Sequence, residues 1–191
     1  MTRDRSRRAS SACRCHPPVK VWRVSDRSKL LIGLIAVVGL YAVGLGPLET
    51  VMAARGHGIV DLELAWTPTR LQQILNDWGT VGLDAARKQI WWDFAFVPAY
   101  CLMIVGALRL VLGKAHGALA RWAKPLTMGV LVAGALDYLE NISMLIALNG
   151  SHALIGVASA FASVKFVLLV AAVIALVWGM VSTLVHPFKR A

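Results

Sequence analysis

The amino-acid sequence predicts an all-α integral membrane protein, a four-helix bundle with short amphipathic helices in its first external loop. Three observations lead there. Of 191 residues, 58% are hydrophobic and only 16% charged, with a mean hydropathy of +0.64. A soluble domain lies nearer ~45–50% apolar and ~25% charged. The apolar excess is gathered into four long runs, and the basic residues are divided unequally between the two sides those runs define.

A helix needs ~20 apolar residues to cross ~30 Å of hydrocarbon. The first span is Leu30 to about Gly46, 17 residues, with Pro47 expected to end it. The second covers Ile90–Gly113, the third Pro125 to about Ala147, and the fourth Ala153–Val185. Residues 1–29 have no apolar periodicity and much Arg and Ser, which predicts a disordered basic arm. That basic region is too long for a secretory signal, and three further apolar runs follow the first. Residues 186–191 form a short tail.

The arm contains nine Lys and Arg, the 109–124 connection four and the tail two, 15 of the 20 in the chain. The external loop 47–89 has four basic and five acidic residues, and 149–152 has no Lys or Arg. The positive-inside rule then puts both termini in the cytoplasm, with Trp91 and Trp92 at the outer interface and Trp122 at the inner one. A basic arm directly before a span serves orientation and anionic lipid, so no nucleic-acid partner is expected.

Within loop 47–89, Thr67-Pro68 resembles a helix N-cap followed by proline at the first helical position. It opens an amphipathic stretch, Thr69–Trp78, that Gly79 closes, and a second short helix from Thr80 leads into the second span. Leu71, Ile74, Leu75 and Trp78 share one face, suited to lying on the membrane or capping the bundle. Before it, residues 56–64 alternate polar and apolar at period two, so that segment is expected to be extended. His57, Asp61 and Glu63 are ligand types, but a solvated loop accounts for them and no metal site is expected. Cys13, Cys15 and His16 fall short of a four-ligand zinc site, and no Cys-x-x-Cys occurs. No cofactor motif is present.

Ionisable residues inside a bilayer cost ~2.5–3.5 kcal/mol each on insertion scales, so each asks for a role. Asp137, Glu140 and Asn141 share one face of the third span, which Ala133 and Gly134 continue as a close-packing surface. Lys165 is on the fourth. Asp137 is 12 residues before Asn149 and Lys165 is 12 after Ala153. Both therefore lie about 18 Å from the connecting turn, which predicts an ion pair. Asp93 and Tyr100 share a face of the second span, with Pro98 between them expected to kink the helix and free a backbone carbonyl. Tyr41 reaches similar depth. The expectation is an outward-facing polar pocket of Asp93, Tyr100, Asp137, Glu140, Asn141 and Lys165. Its two central carboxylates outnumber the lysine, leaving surplus negative charge or a bound proton.

Three functions suit such residues. One is binding of a small molecule, lipid headgroup or proton. Another is a membrane-embedded enzyme with Asp137 or Glu140 as general acid/base. The third is a structural subunit whose polar groups only fix packing. The bilayer is the expected partner, with a second copy of the chain as a further one, since four spans alone make a thin transporter. Ser159 and Ser163 lie among small residues without a nucleophile motif.

The series Gly58–Ala65, Thr67–Arg70, Ile74-Leu75, Trp78-Gly79, Asp93-Phe94-Phe96, Tyr100, Leu136–Asn141 and Lys165-Phe166 resembles an uncharacterised family of bacterial four-span inner-membrane proteins. Its most specific piece is the Asp-x-x-Glu-Asn of the third span, and the likeness covers roughly residues 30–185. His57 stands where that family is expected to have an aromatic residue. The resemblance implies this topology and a bacterial plasma membrane, and it supplies no activity.

Topology is directly testable. Reporters fused after Ala191 and within 114–120 should read cytoplasmic, and one inserted near Gly79 should read external. An external signal at the C-terminus would remove the four-span reading.

Overall fold

The computed structural model describes residues 24–113 and 118–185. The arm up to residue 23 lies outside them, as do Cys13, Cys15, His16, the 114–117 connection and the tail from 186. Among the described residues every regular element is helical. Four helices are long and apolar enough to cross a membrane: Asp26–Ala53, Pro68–Leu112, Ala120–Leu148 and His152–Ser182.

The first span begins earlier and ends later than its apolar run. Helix α1 (Asp26–Leu40) starts where the Ser25 hydroxyl accepts the Ser28 amide, 3.1 Å. Asp26 in its first turn meets Lys29 at 2.7 Å. Residues 26–29, expected in the disordered arm, are thus helical. Nor does Pro47 end the helix. A single π turn, Tyr41–Leu45, widens the coil, and α2 (Gly46–Ala53) continues with Pro47 at its start, where a missing N–H is tolerated.

Residues 56–64 differ from the expected extended segment, because Ile59–Glu63 is a helix, α3. Two carboxylates decide this. Asp61 accepts the Gly58 amide at 2.8 Å and Glu49 accepts that of Ile59 at 3.0 Å, satisfying donors a first turn leaves free. Leu62 is fully buried beneath it.

Helix α4 (Pro68–Leu112) opens as the sequence indicates, the Thr67 hydroxyl accepting the Arg70 amide at 3.2 Å. Gly79, at φ 59° and ψ −162°, breaks it where only glycine is comfortable, separating an amphipathic hood from the span. Leu71, Ile74 and Trp78 of the hood are buried with Met52, Leu62, Met144 and Ile155, so the hood caps the bundle. Helix α5 (Ala118–Leu148) begins before Pro125, and a tight turn with Gly150 at φ 110° leads to α6 (Ile155–Val185).

Helix α4 packs against α1, α2, α5 and α6, and α5 packs on α6. Close approach needs small residues: a Cβ on Gly33 of α1 would stand 2.5 Å from the Met103 backbone nitrogen. Outward, α6 exposes Val167, Val170, Ile174, Val177 and Trp178. An exterior as apolar as the core suits hydrocarbon rather than water.

Candidate functional site

Midway along the bundle, the side chains of three helices close around one ammonium group. Lys165 of α6 is 4% exposed. Its Nζ lies 3.0 Å from Asp137 Oδ1 and 2.7 Å from Glu140 Oε2, both on α5. The predicted ion pair is present. The Asp137 contact is a hydrogen bond. That to Glu140 is a close ion pair without hydrogen-bond alignment, and Glu140 Oε1 has no partner although the residue is fully buried.

The sequence-predicted residues on α4 join the same cluster. Tyr100 donates its hydroxyl to Asp137 Oδ2 at 2.8 Å, and Asn141 donates to Asp93 Oδ2 at 2.6 Å. The backbone stays helical at Pro98. The Phe94 carbonyl, four residues earlier and freed by the proline, accepts the Tyr138 hydroxyl at 3.0 Å. Close contact of α4 with α5 depends on Gly134, where a Cβ would meet Cys101 Sγ at 2.6 Å.

Two polar residues, Glu49 and Gln89, escaped the sequence reading, and Glu63, expected in a solvated loop, is placed differently. Glu63, at the end of α3, points inward and stands 3.8 Å from Lys165. Its signal was available: Ile59, Leu62 and Glu63 fall on one face once the segment is helical. Glu49 of α2 and Gln89 of α4 are joined by a hydrogen bond from Gln89 Nε2 to Glu49 Oε2, 3.3 Å. Gln89 Oε1 is buried without a partner.

These groups border a cavity of about 290 Å³, open on one side. The π turn contributes Tyr41 and Leu45, and α2 and α3 contribute Glu49, Ile59, Val60 and Glu63. From α4 and α5 come Gln89, Ile90, Asp93, Phe96 and Asn141. Of the predicted site residues, Asp93 and Asn141 line the cavity. Tyr100, Asp137, Glu140 and Lys165 form the buried network beside it.

Burial pushes the Glu63 carboxyl up to about 7 from an ordinary 4.5, against the pull of the Lys165 ammonium and aided by Asp137, Asp93 and Glu49. The site therefore offers carboxylates in excess of cations, suited to holding a proton or a positive charge.

Other candidates resolve as structure. His57 Nε2 is 2.9 Å from Asp77 and its Nδ1 3.9 Å from Asp61, while Glu63 is instead 3.8 Å from Lys165, and among the described residues there is no group of three His, Cys, Asp or Glu that could hold a metal ion. The Ser159 hydroxyl accepts the Trp66 amide at 2.9 Å, tying the turn before α4, where Trp66 has φ 56°, to α6. No known family model, curated protein or solved structure matches the chain.

Two outcomes follow from this geometry. Lys165→Met should destabilise the bundle by about 3–5 kcal/mol, because buried acids lose their counter-charge. Adding Asp137→Leu should restore only part, since Glu140 and Glu63 remain. Unfolding in mild detergent measures this, and a harmless single change would mean Lys165 reaches water.

The second concerns pH. A carboxyl raised in the folded state holds its proton more tightly folded than unfolded. Its contribution to stability is fully present below 4.5 and is lost as pH rises toward 7. Resistance to unfolding should decline across that window, and Glu63→Gln should flatten the decline. An unchanged slope in the variant would show that Glu63 is not the group responsible.

Proposed function

We propose that this chain is a multi-pass protein of the bacterial inner membrane, with both termini cytoplasmic, whose half-open cavity binds a small molecule, a lipid headgroup or a proton. The carrying observation is the buried imbalance beside the cavity. Asp137, Glu140 and Glu63 lie within 4 Å of a single lysine, and Asp93 and Glu49 line the cavity beside them. Packing alone would be served by one acid per base, and surplus buried carboxylates are costly unless a proton or ligand compensates them. Orientation is supported by the 15 of 20 basic residues on one side, and the bacterial setting by the Asp-x-x-Glu-Asn resemblance. With that orientation, α3 and the hood lie outside and the cavity opens toward the periplasmic half.

A purely structural role has its own support. The Tyr138–Phe94 and Tyr100–Asp137 hydrogen bonds each tie α5 to α4. Mass measurement of the intact protein, released gently from its membrane, separates the two. The binding reading expects a bound species on the wild type that is lost from Leu45→Trp, which fills the cavity. Identical bare masses, with higher stability when Glu49 and Gln89 are both made apolar, would favour packing.

A further inference from the structure

We infer that the cavity receives an organic ammonium ion with a compact apolar body, such as an arylalkylamine. This deepens the binding reading and rests on it. The polar atoms bordering the cavity are sorted by role. Each side-chain amide already gives one N–H to a carboxylate, Gln89 Nε2 to Glu49 and Asn141 Nδ2 to Asp93. The charged groups on the lining are all acceptors, the carboxylates of Glu49, Glu63 and Asp93, and the Tyr41 hydroxyl beside them can donate or accept. Gln89 lines the cavity, is 5% exposed, and its Oε1 has no partner. A ligand N–H reaching that oxygen would satisfy an acceptor otherwise left unmade.

Charge excludes the opposite class. None of the described lining residues is Lys, Arg or His, so an anionic ligand would face carboxylates without a counter-charge. Spacing does not suit a metal ion held by several side chains. No three acidic or histidine groups among the described residues converge tightly enough for a metal ion. Acceptors spread around about 290 Å³ instead suit a larger ion with several N–H donors. The remaining walls are apolar and include the rings of Tyr41 and Phe96, which favour a cation attached to hydrocarbon. The π turn at Tyr41–Leu45 lies at this cavity, and such turns often mark functional sites.

The same ammonium chemistry exists in a free amine and in the headgroup of phosphatidylethanolamine. The headgroup's phosphate would come close to these carboxylates without a basic residue to receive it, which favours the free amine. The test uses the full chain in nanodiscs of phosphatidylcholine and phosphatidylglycerol, titrated calorimetrically with phenethylammonium, phenethyl alcohol and phenylacetate. Phenethylammonium should bind, the alcohol at least about tenfold more weakly and phenylacetate not measurably. Glu49→Gln should weaken the ammonium about tenfold. Because Glu49 also caps α3, Leu45→Trp is a second variant. It should abolish binding while unfolding at the wild-type temperature or above.

Equal affinity for the alcohol, or preference for phenylacetate, overturns the ammonium assignment while leaving a binding site. Failure of all three probes overturns the ammonium assignment, and it overturns the binding reading as well where the wild type and Leu45→Trp, released gently from the membrane, both have their bare masses. Discs containing phosphatidylethanolamine identify the source. About tenfold weaker apparent affinity there assigns the site to the lipid headgroup, and unchanged affinity assigns it to a free amine.

Discussion

The burial of one lysine ammonium against three carboxylates governs how the rest of this molecule must be arranged. Lys165 lies in the apolar middle of α6, where an unpaired charge would be too costly to keep. Its partners arrive from different directions: Asp137 and Glu140 on α5 and Glu63 on α3. The turn between α5 and α6 must be tight for the first two to lie level with it. The third requires residues 59–63 to coil and fold inward. Tyr100 and Asn141 then extend the network to α4. One charge thus sets register between spans and loop together.

Two apolar layers enclose that network. On the loop side, Trp78, Leu71 and Ile74 of the hood pack with Met52, Leu62 and Ile155. On the other side, Val105, Leu108, Leu112, Val130 and Ala172 form a second cluster. The layers exclude water from the network and so raise the cost of any imbalance within it. Small residues at the helix crossings, Gly33 and Gly134 among them, let backbones approach closely enough for short polar side chains to meet.

Glu49 links this interior to the cavity. It holds the first turn of α3 through the Ile59 amide and restrains Gln89 on α4. It can do so because the helix does not end at Pro47. The π turn absorbs the proline, and α2 carries the carboxylate three residues, almost one turn, beyond the expected end of the span at Gly46. The result is a cavity whose acceptors are positioned by backbone already committed elsewhere.

The spans, the hood with its Thr67 cap and Gly79 break, and the level pairing of Lys165 with Asp137 could all be read from residue order. So could the carbonyl that Pro98 frees. Each depends on position along a helix, and a fixed rise of 1.5 Å per residue turns sequence spacing directly into depth. Glu63, Glu49 and Gln89 could not be placed that way. The polar–apolar alternation of 56–64 indicated an extended segment until carboxylates 3 and 10 positions from the amides they cap made it a helix. Pro47 indicated an end until a π turn accommodated it. Sequence by itself therefore determined which residues lie at which depth. Only the tertiary structure decided which of them face one another across the bundle. That depends on helix rotation and on how the loop folds over the spans, and local spacing carries neither.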